Sequence, residues 1–85
     1  MTESNIIHFK VVKILDKFRE LMKKKRVEKG YSQYKLGTLV GIQQTSINHI
    51  EKGRRDPSYE VLLKICEVLE IPLFGEVIEH NDGAE

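Results

Sequence analysis

The sequence has few of the residues that crosslink a chain or interrupt helices. Its 85 residues include one cysteine, two prolines and no tryptophan. Because a disulfide needs two thiols, the single Cys66 excludes an internal disulfide, and it also excludes a four-cysteine zinc site. No apolar run approaches the roughly 20 residues that cross a bilayer, and the N-terminus lacks the basic start of a signal peptide. These absences predict one small, reduced, cytoplasmic domain with no membrane segment.

Acidic residues are scarce in residues 1–55, and basic residues are scarce in residues 56–85. Residues 1–55 contain 13 Lys/Arg against 5 Asp/Glu, a balance of +8, whereas residues 56–85 contain 1 against 8, a balance of −7. The sum is the net charge of +1. A basic half joined to an acidic half favours a face for a polyanion and a tail kept away from it. Two solvated faces of opposite sign would give the same pattern, so charge alone leaves both interpretations open.

Apolar residues recur at helical spacing from the first third of the chain onward. The pattern predicts a first helix to about Lys29, ended by Gly30 as a left-handed cap. The segment before it is rich in β-branched residues and would also suit a strand, but its stripe continues unbroken, which favours one extended N-terminal helix. The predicted inward stripe is Val11, Ile14, Leu15, Phe18, Leu21 and Met22.

Four shorter helices are predicted after Gly30. The second begins at the N-cap Ser32, and the third runs from about residue 43 to 52. A fourth begins at Ser58 or Asp56 and a fifth near Pro72. The fold class is therefore all-α, a compact five-helix bundle. The inward positions are Leu36, Leu39 and Val40 in the second helix, Ile47 and Ile50 in the third, and Val61, Leu62, Ile65, Cys66, Val68 and Leu69 in the fourth.

The predicted third helix has a polar face without any acid. At 100° per residue, an arc of side chains lies opposite Ile47 and Ile50. Amide, hydroxyl, imidazole and ammonium groups can hydrogen-bond to base edges, and a glutamine can bind adenine through two hydrogen bonds. A solvent-facing helix usually mixes Glu with Lys, so this face favours nucleic-acid reading over simple solvation. The arc consists of Gln44, Thr45, Asn48, His49 and Lys52.

The stretch "SQYKLGTLVGIQQTSINHIEKGRRDPS" resembles the helix-turn-helix of phage repressor and Cro-type regulators, the XRE family. The markers are "RVEKGYSQ", Leu36, the turn at Gly41, "SINHIEKG" and Pro57, and the resemblance covers about residues 18–78. At Gly37 the family usually has alanine, and the N-terminal 17 residues lie outside the family pattern. The resemblance implies a phage-repressor type of bundle, with domain divisions at 1–17, 18–80 and a frayed tail at 81–85.

The resemblance also implies roles for individual residues. The base-reading positions are Gln44, Thr45 and His49, and Gln33 matches a phosphate contact at a helix N-terminus. Residues expected to reach the DNA backbone or flanking positions are Asn48, Lys52, Arg54 and Arg55. Arg26 and Glu51 match a partly buried ion pair between the first helix and the recognition helix, which the inward angle of Glu51 supports.

The C-terminal part is more apolar than a short helix can bury by itself. Such surplus surface is typical of an interface, so we expect a homodimer through Leu73, Phe74, Val77 and Ile78. The predicted function is sequence-specific binding of double-stranded operator DNA as a small transcriptional regulator, a repressor. Alternatives are an antitoxin or a protein-interaction adaptor of the same fold, with a toxin or an antirepressor as protein partner. No cofactor, metal site or catalytic activity is expected, because the three histidines are scattered and no catalytic triad is oriented.

Overall fold

The computed structural model describes residues 3–72, with side chains from residue 6 onward. In this part of the chain there are four helices and no strand: α1 (Glu3–Glu28), α2 (Gln33–Val40), α3 (Gln44–Glu51) and α4 (Tyr59–Leu69). The predicted all-α class is confirmed. The predicted count of five helices is not supported, because the fifth helix and its Leu73, Phe74, Val77 and Ile78 lie outside the described residues. No described helix is long and apolar enough to span a membrane.

Local sequence signals fix the helix ends. The Ser32 hydroxyl accepts the backbone N–H of Lys35 at 2.9 Å and so caps α2, and Ser58 accepts that of Val61 at 3.2 Å and caps α4. Gly30 takes a φ of +76°, as a left-handed cap requires. Helix α4 ends differently, since Glu70 adopts a left-handed φ of 59°. The N–H of Ile71 then closes the turn on the carbonyl of Cys66 at 2.8 Å.

The core forms where α1 crosses the three shorter helices. Helix α1 packs against α3 and α4, and α2 packs against the same two helices. Full burial of each large apolar side chain in this core stabilises the fold by about 1.5–3 kcal/mol. The buried apolar residues are Phe18, Met22, Leu36, Val40, Ile47, Ile50, Ile65, Cys66, Leu69 and Ile71.

Two predicted inward residues are exposed. Val11 continues the stripe of Phe18 along α1, but it is 46% exposed, since the shorter helices cover only the C-terminal part of α1. Leu39 is 42% exposed, because α2 directs Leu36 and Val40 into the core and leaves Leu39 at the edge. The predictions of burial at these two positions are therefore wrong.

Candidate nucleic-acid interface

A tight turn joins α2 to α3 and sets the direction of the third helix. Gly41 has a φ of +90°, which an L side chain rarely adopts. The carbonyl of Gly37 accepts the N–H groups of Gly41 at 2.7 Å and Ile42 at 2.9 Å. A Cβ on Gly37 would lie only 2.6 Å from the carbonyl oxygen of Ile42. Alanine at position 37 would therefore clash with the turn and require its backbone to move, whereas glycine leaves the turn in place.

Helix α3 is held by one face and exposes the other. Ile47 and Ile50 are buried, whereas Gln44 and Thr45 are exposed in its first turn and Lys52 is exposed just after its end. Asn48 and His49 are half-buried on the flank. The structure thus brings the predicted base-reading residues Gln44, Thr45 and His49 together on one short helix, with His49 less accessible than the other two.

The carboxylate of α3 faces inward. Arg26 donates from Nε to Oε2 of Glu51 at 2.7 Å and from Nη2 to Oε1 at 3.1 Å. Its Nη1 donates to the carbonyl of Tyr31 at 2.9 Å. The side chains of Arg26 and Glu51 are 11% and 3% exposed, so water screens the pair only weakly. This arrangement fixes the C-terminal end of α3 to α1 and keeps the only acid of α3 away from the exposed face.

Gln33 extends this ion pair into a polar network. Its Nε2 donates to Oε1 of Glu51 at 3.1 Å, and its Oε1 accepts from Nδ2 of Asn48 at 3.4 Å. The first residue of α2 is therefore linked by side-chain hydrogen bonds to the middle and the end of α3. The family resemblance implied a phosphate contact for Gln33 and a backbone or flanking contact for Asn48, and it gave no indication of this contact between them.

A second arginine fixes α3, and sequence reasoning missed it. Arg19 Nε donates to the carbonyl of Ile50 at 3.0 Å, and its Nη2 pairs with the carboxylate of Asp56 at 2.5 Å in the loop after α3. The side chain is only 12% exposed. Arg19 precedes Arg26 by seven residues, two helical turns on the same face of α1, and that spacing was the available signal.

The loop after α3 carries exposed positive charge. Arg54 and Arg55 are both exposed, and their backbone N–H groups donate to the carbonyl of His49 at 2.9 and 3.3 Å. Arg55 also folds back on α3, where its Nη1 donates to the hydroxyl of Ser46 at 2.9 Å. The segment from Lys52 to Arg55 therefore carries three exposed cationic side chains directly after α3.

Known proteins share this part of the chain. Residues 22–75 match the helix-turn-helix family. Over 52 residues the chain is 40% identical to YgzD, an HTH-type transcriptional regulator of Bacillus subtilis strain 168, covering 61% of this chain and 79% of that protein. It is 35% identical over 52 residues to YonR, an SPbeta prophage-derived HTH-type transcriptional regulator of the same strain, covering 61% of this chain and 48% of that protein.

A third relative comes from a different bacterium. An HTH-type transcriptional regulator of Haemophilus influenzae strain Rd is 48% identical over 44 residues, which cover 52% of this chain and 45% of that protein. The matched segments thus span most of YgzD and about half of the other two relatives. Because the family match covers more than half of the chain and contains α2, the Gly41 turn and α3, the chain belongs to the XRE-type helix-turn-helix family of DNA-binding transcriptional regulators.

Proposed function

We propose that this protein binds double-stranded DNA sequence-specifically and acts as a repressor in the cytoplasm. The observation that carries the proposal is the exposed face of α3, where Gln44 and Thr45 begin the helix and no carboxylate is present. A helix of this kind fits the major groove, where amide and hydroxyl groups can hydrogen-bond to base edges. No catalytic step belongs to the proposal, since the groups assembled here are suited to recognition.

Each group at this surface has a proposed role. Gln44, Thr45 and His49 read bases. Gln33 contacts a phosphate from the N-terminus of α2, where the positive end of the helix favours anions. The remaining backbone or flanking contacts come from Asn48, Lys52, Arg54 and Arg55. The Arg26–Glu51 pair contributes by holding α3 at a fixed angle to α1.

The proposal includes a homodimer on a near-palindromic operator. A two-fold dimer presents two copies of α3 about one helical turn of DNA apart, so that each reads one half-site. The predicted interface residues Leu73, Phe74, Val77 and Ile78 lie outside the described residues, and their role rests on their apolar character in an otherwise acidic segment.

Selection of preferred sites from random duplexes, followed by affinity measurements against salt, tests the function. We expect a two-fold symmetric site and an affinity that falls steeply as salt rises, because phosphate contacts release counterions. Binding that is equally weak on selected and random DNA would contradict sequence-specific reading. No binding to any duplex at low salt would contradict the proposal altogether and favour a protein-interaction adaptor.

A further inference from the structure

The N-terminal part of α1 exposes apolar side chains on all sides. We define the N-terminal arm as residues 6–13, which precede the first α1 residue in contact with the core, Ile14. Phe9 and Ile7 are each 60% exposed. A helix that is apolar all round is normally buried, and a contiguous exposed apolar surface of this kind marks an interface. The exposed apolar residues of the arm are Ile6, Ile7, Phe9, Val11 and Val12.

The charge of the arm indicates the chemistry of its partner. The arm contains Lys10 and Lys13 and no acid, and the Nζ of Lys13 lies 5.1 Å from the centroid of the Phe9 ring. An occupant that is both apolar and acidic would complement this surface. Residues 73–85 have this character, since they contain four acids and neither lysine nor arginine. Their large apolar residues are Leu73, Phe74, Val77 and Ile78.

Geometry keeps Leu73 and Phe74 away from Phe9 of the same chain. The carboxylate of Glu70 lies 3.2 Å from Nζ of Lys29, so the chain leaves α4 beside the C-terminal end of α1. At 1.5 Å per residue, Phe9 is about 30 Å from Lys29 along the helix. The four residues from Glu70 to Phe74 span at most about 14 Å when fully extended. Leu73 and Phe74 of the same chain therefore stop well short of Phe9.

A second copy of the chain overcomes the short reach of Leu73 and Phe74. When two α1 helices lie side by side and antiparallel, the C-terminal end of one is beside the N-terminal arm of the other. We propose that residues 73–85 of each copy cover the N-terminal arm of the other copy, in two identical contacts related by a two-fold axis. The inference rests on the dimer of the proposed function, and it names what the four apolar residues of the C-terminal segment contact.

Reciprocal charge reversal tests the pairing. One variant carries Lys10→Glu and Lys13→Glu in the arm, and the other carries Glu76→Lys and Glu79→Lys in the C-terminal segment. Sedimentation velocity measures self-association of wild type, each variant and their equimolar mixture, without DNA. We expect wild type to dimerise and each variant alone to dimerise at least about ten-fold more weakly, since like charges then face each other in both contacts. The mixture should recover the dimer, because both contacts of the heterodimer pair opposite charges.

Every other pattern overturns the inference. Wild type that stays monomeric would exclude a second copy. An arm variant or a segment variant that dimerises normally would show that its reversed charges do not face the opposite charges of the other segment. Normal dimerisation of both variants would indicate contact between like segments or a dimer interface elsewhere. A mixture that remains monomeric would show that arm and segment do not face each other.

Three further experiments complete the test. Lys35→Glu with Lys64→Glu makes the same charge change at two exposed positions outside the arm and should leave the dimer intact. Loss of the dimer in this control would point to a general charge effect and overturn the pairing. Circular dichroism should show wild-type helicity in every variant, and a loss of helicity that the mixture does not restore would count against the proposed pairing.

Binding to random duplex DNA at low salt separates the two proposals. Dimers that fail to bind DNA would overturn only the function, and DNA binding without the expected association pattern would overturn only the dimer arrangement.

Discussion

Arg26 and Glu51 form a two-point ion pair between α1 and α3, with hydrogen bonds of 2.7 and 3.1 Å. The two residues are 25 positions apart in sequence, and their side chains are almost fully shielded from water. Among the described residues, no buried side-chain nitrogen or oxygen lacks a hydrogen-bond partner, so this charged pair is fully accommodated. Its removal should therefore affect both the stability of the fold and the orientation of α3.

Glu51→Ala should lower the free energy of unfolding by roughly 3–5 kcal/mol, because it leaves the Arg26 guanidinium buried without its carboxylate. Urea unfolding at neutral pH measures the change. Glu20→Ala on the exposed face of α1 is the matched control and should change stability by less than about 0.5 kcal/mol. Equal stabilities for the two variants would show that the pair contributes nothing beyond a surface interaction.

Arg19→Ala should destabilise the fold by about 1–3 kcal/mol, since the carbonyl of Ile50 loses its charged donor at the end of α3. Asp56→Asn keeps that hydrogen bond and weakens only the exposed pair with Arg19, so it should cost no more than about 1 kcal/mol. Thermal unfolding of both variants distinguishes the two contributions. If Asp56→Asn were as destabilising as Arg19→Ala, the loop contact rather than the helix end would hold Arg19 in place.

Gly37→Ala should destabilise the protein despite the higher helix propensity of alanine. The new methyl group would meet the carbonyl of Ile42 at 2.6 Å, and overpacking of this kind costs about 1–3 kcal/mol against a propensity gain of about 1 kcal/mol. Thr38→Ala, one residue along on the exposed side of α2, is the control. A Gly37→Ala variant more stable than wild type would mean that the turn relaxes at little cost.

Gln44→Ala should lower affinity for the preferred operator by about 1–3 kcal/mol and relax the preference at one base position in each half-site. Arg55→Ala should instead weaken all sequences alike and make the salt dependence shallower, because a phosphate contact carries no base information. Site selection and affinity against salt are measured for both variants. An equal loss on specific and random DNA for Gln44→Ala would exclude Gln44 as a base reader.

Stability should fall at alkaline pH through Cys66. Burial raises the pKa of the Cys66 thiol above its ordinary value, so the unfolded chain ionises first as pH rises. The stabilisation is complete below the unfolded pKa and is lost as pH increases between the unfolded and folded pKa values, by at most about 1.4 kcal/mol per pH unit. Urea unfolding of wild type and Cys66→Ala from pH 7 to about pH 10 measures how the stability contributed by Cys66 depends on pH. The difference between the free energies of unfolding of the two proteins should become smaller as pH rises. A difference that stays constant would contradict the prediction.

The sequence by itself determined the helical class, the serine caps that begin α2 and α4, and the glycines that end α1 and α2. Serine caps at Ser32 and Ser58 and left-handed glycines at Gly30 and Gly41 act through contacts within a few residues, so their meaning is readable from local sequence. The buried and exposed faces of α3 followed in the same way from helical periodicity. The family resemblance rested on these local features and was confirmed by the match over residues 22–75.

Only the tertiary structure decided which apolar positions are covered and which polar groups meet. Val11 and Phe18 share one stripe of α1, yet only Phe18 is buried, because the shorter helices end before they reach Val11. The contact of Arg19 with Ile50 and the link from Gln33 to Glu51 join residues 31 and 18 positions apart. Periodicity describes one helix at a time, whereas burial and side-chain pairing depend on where a second helix lies, and that is set by packing of the whole domain.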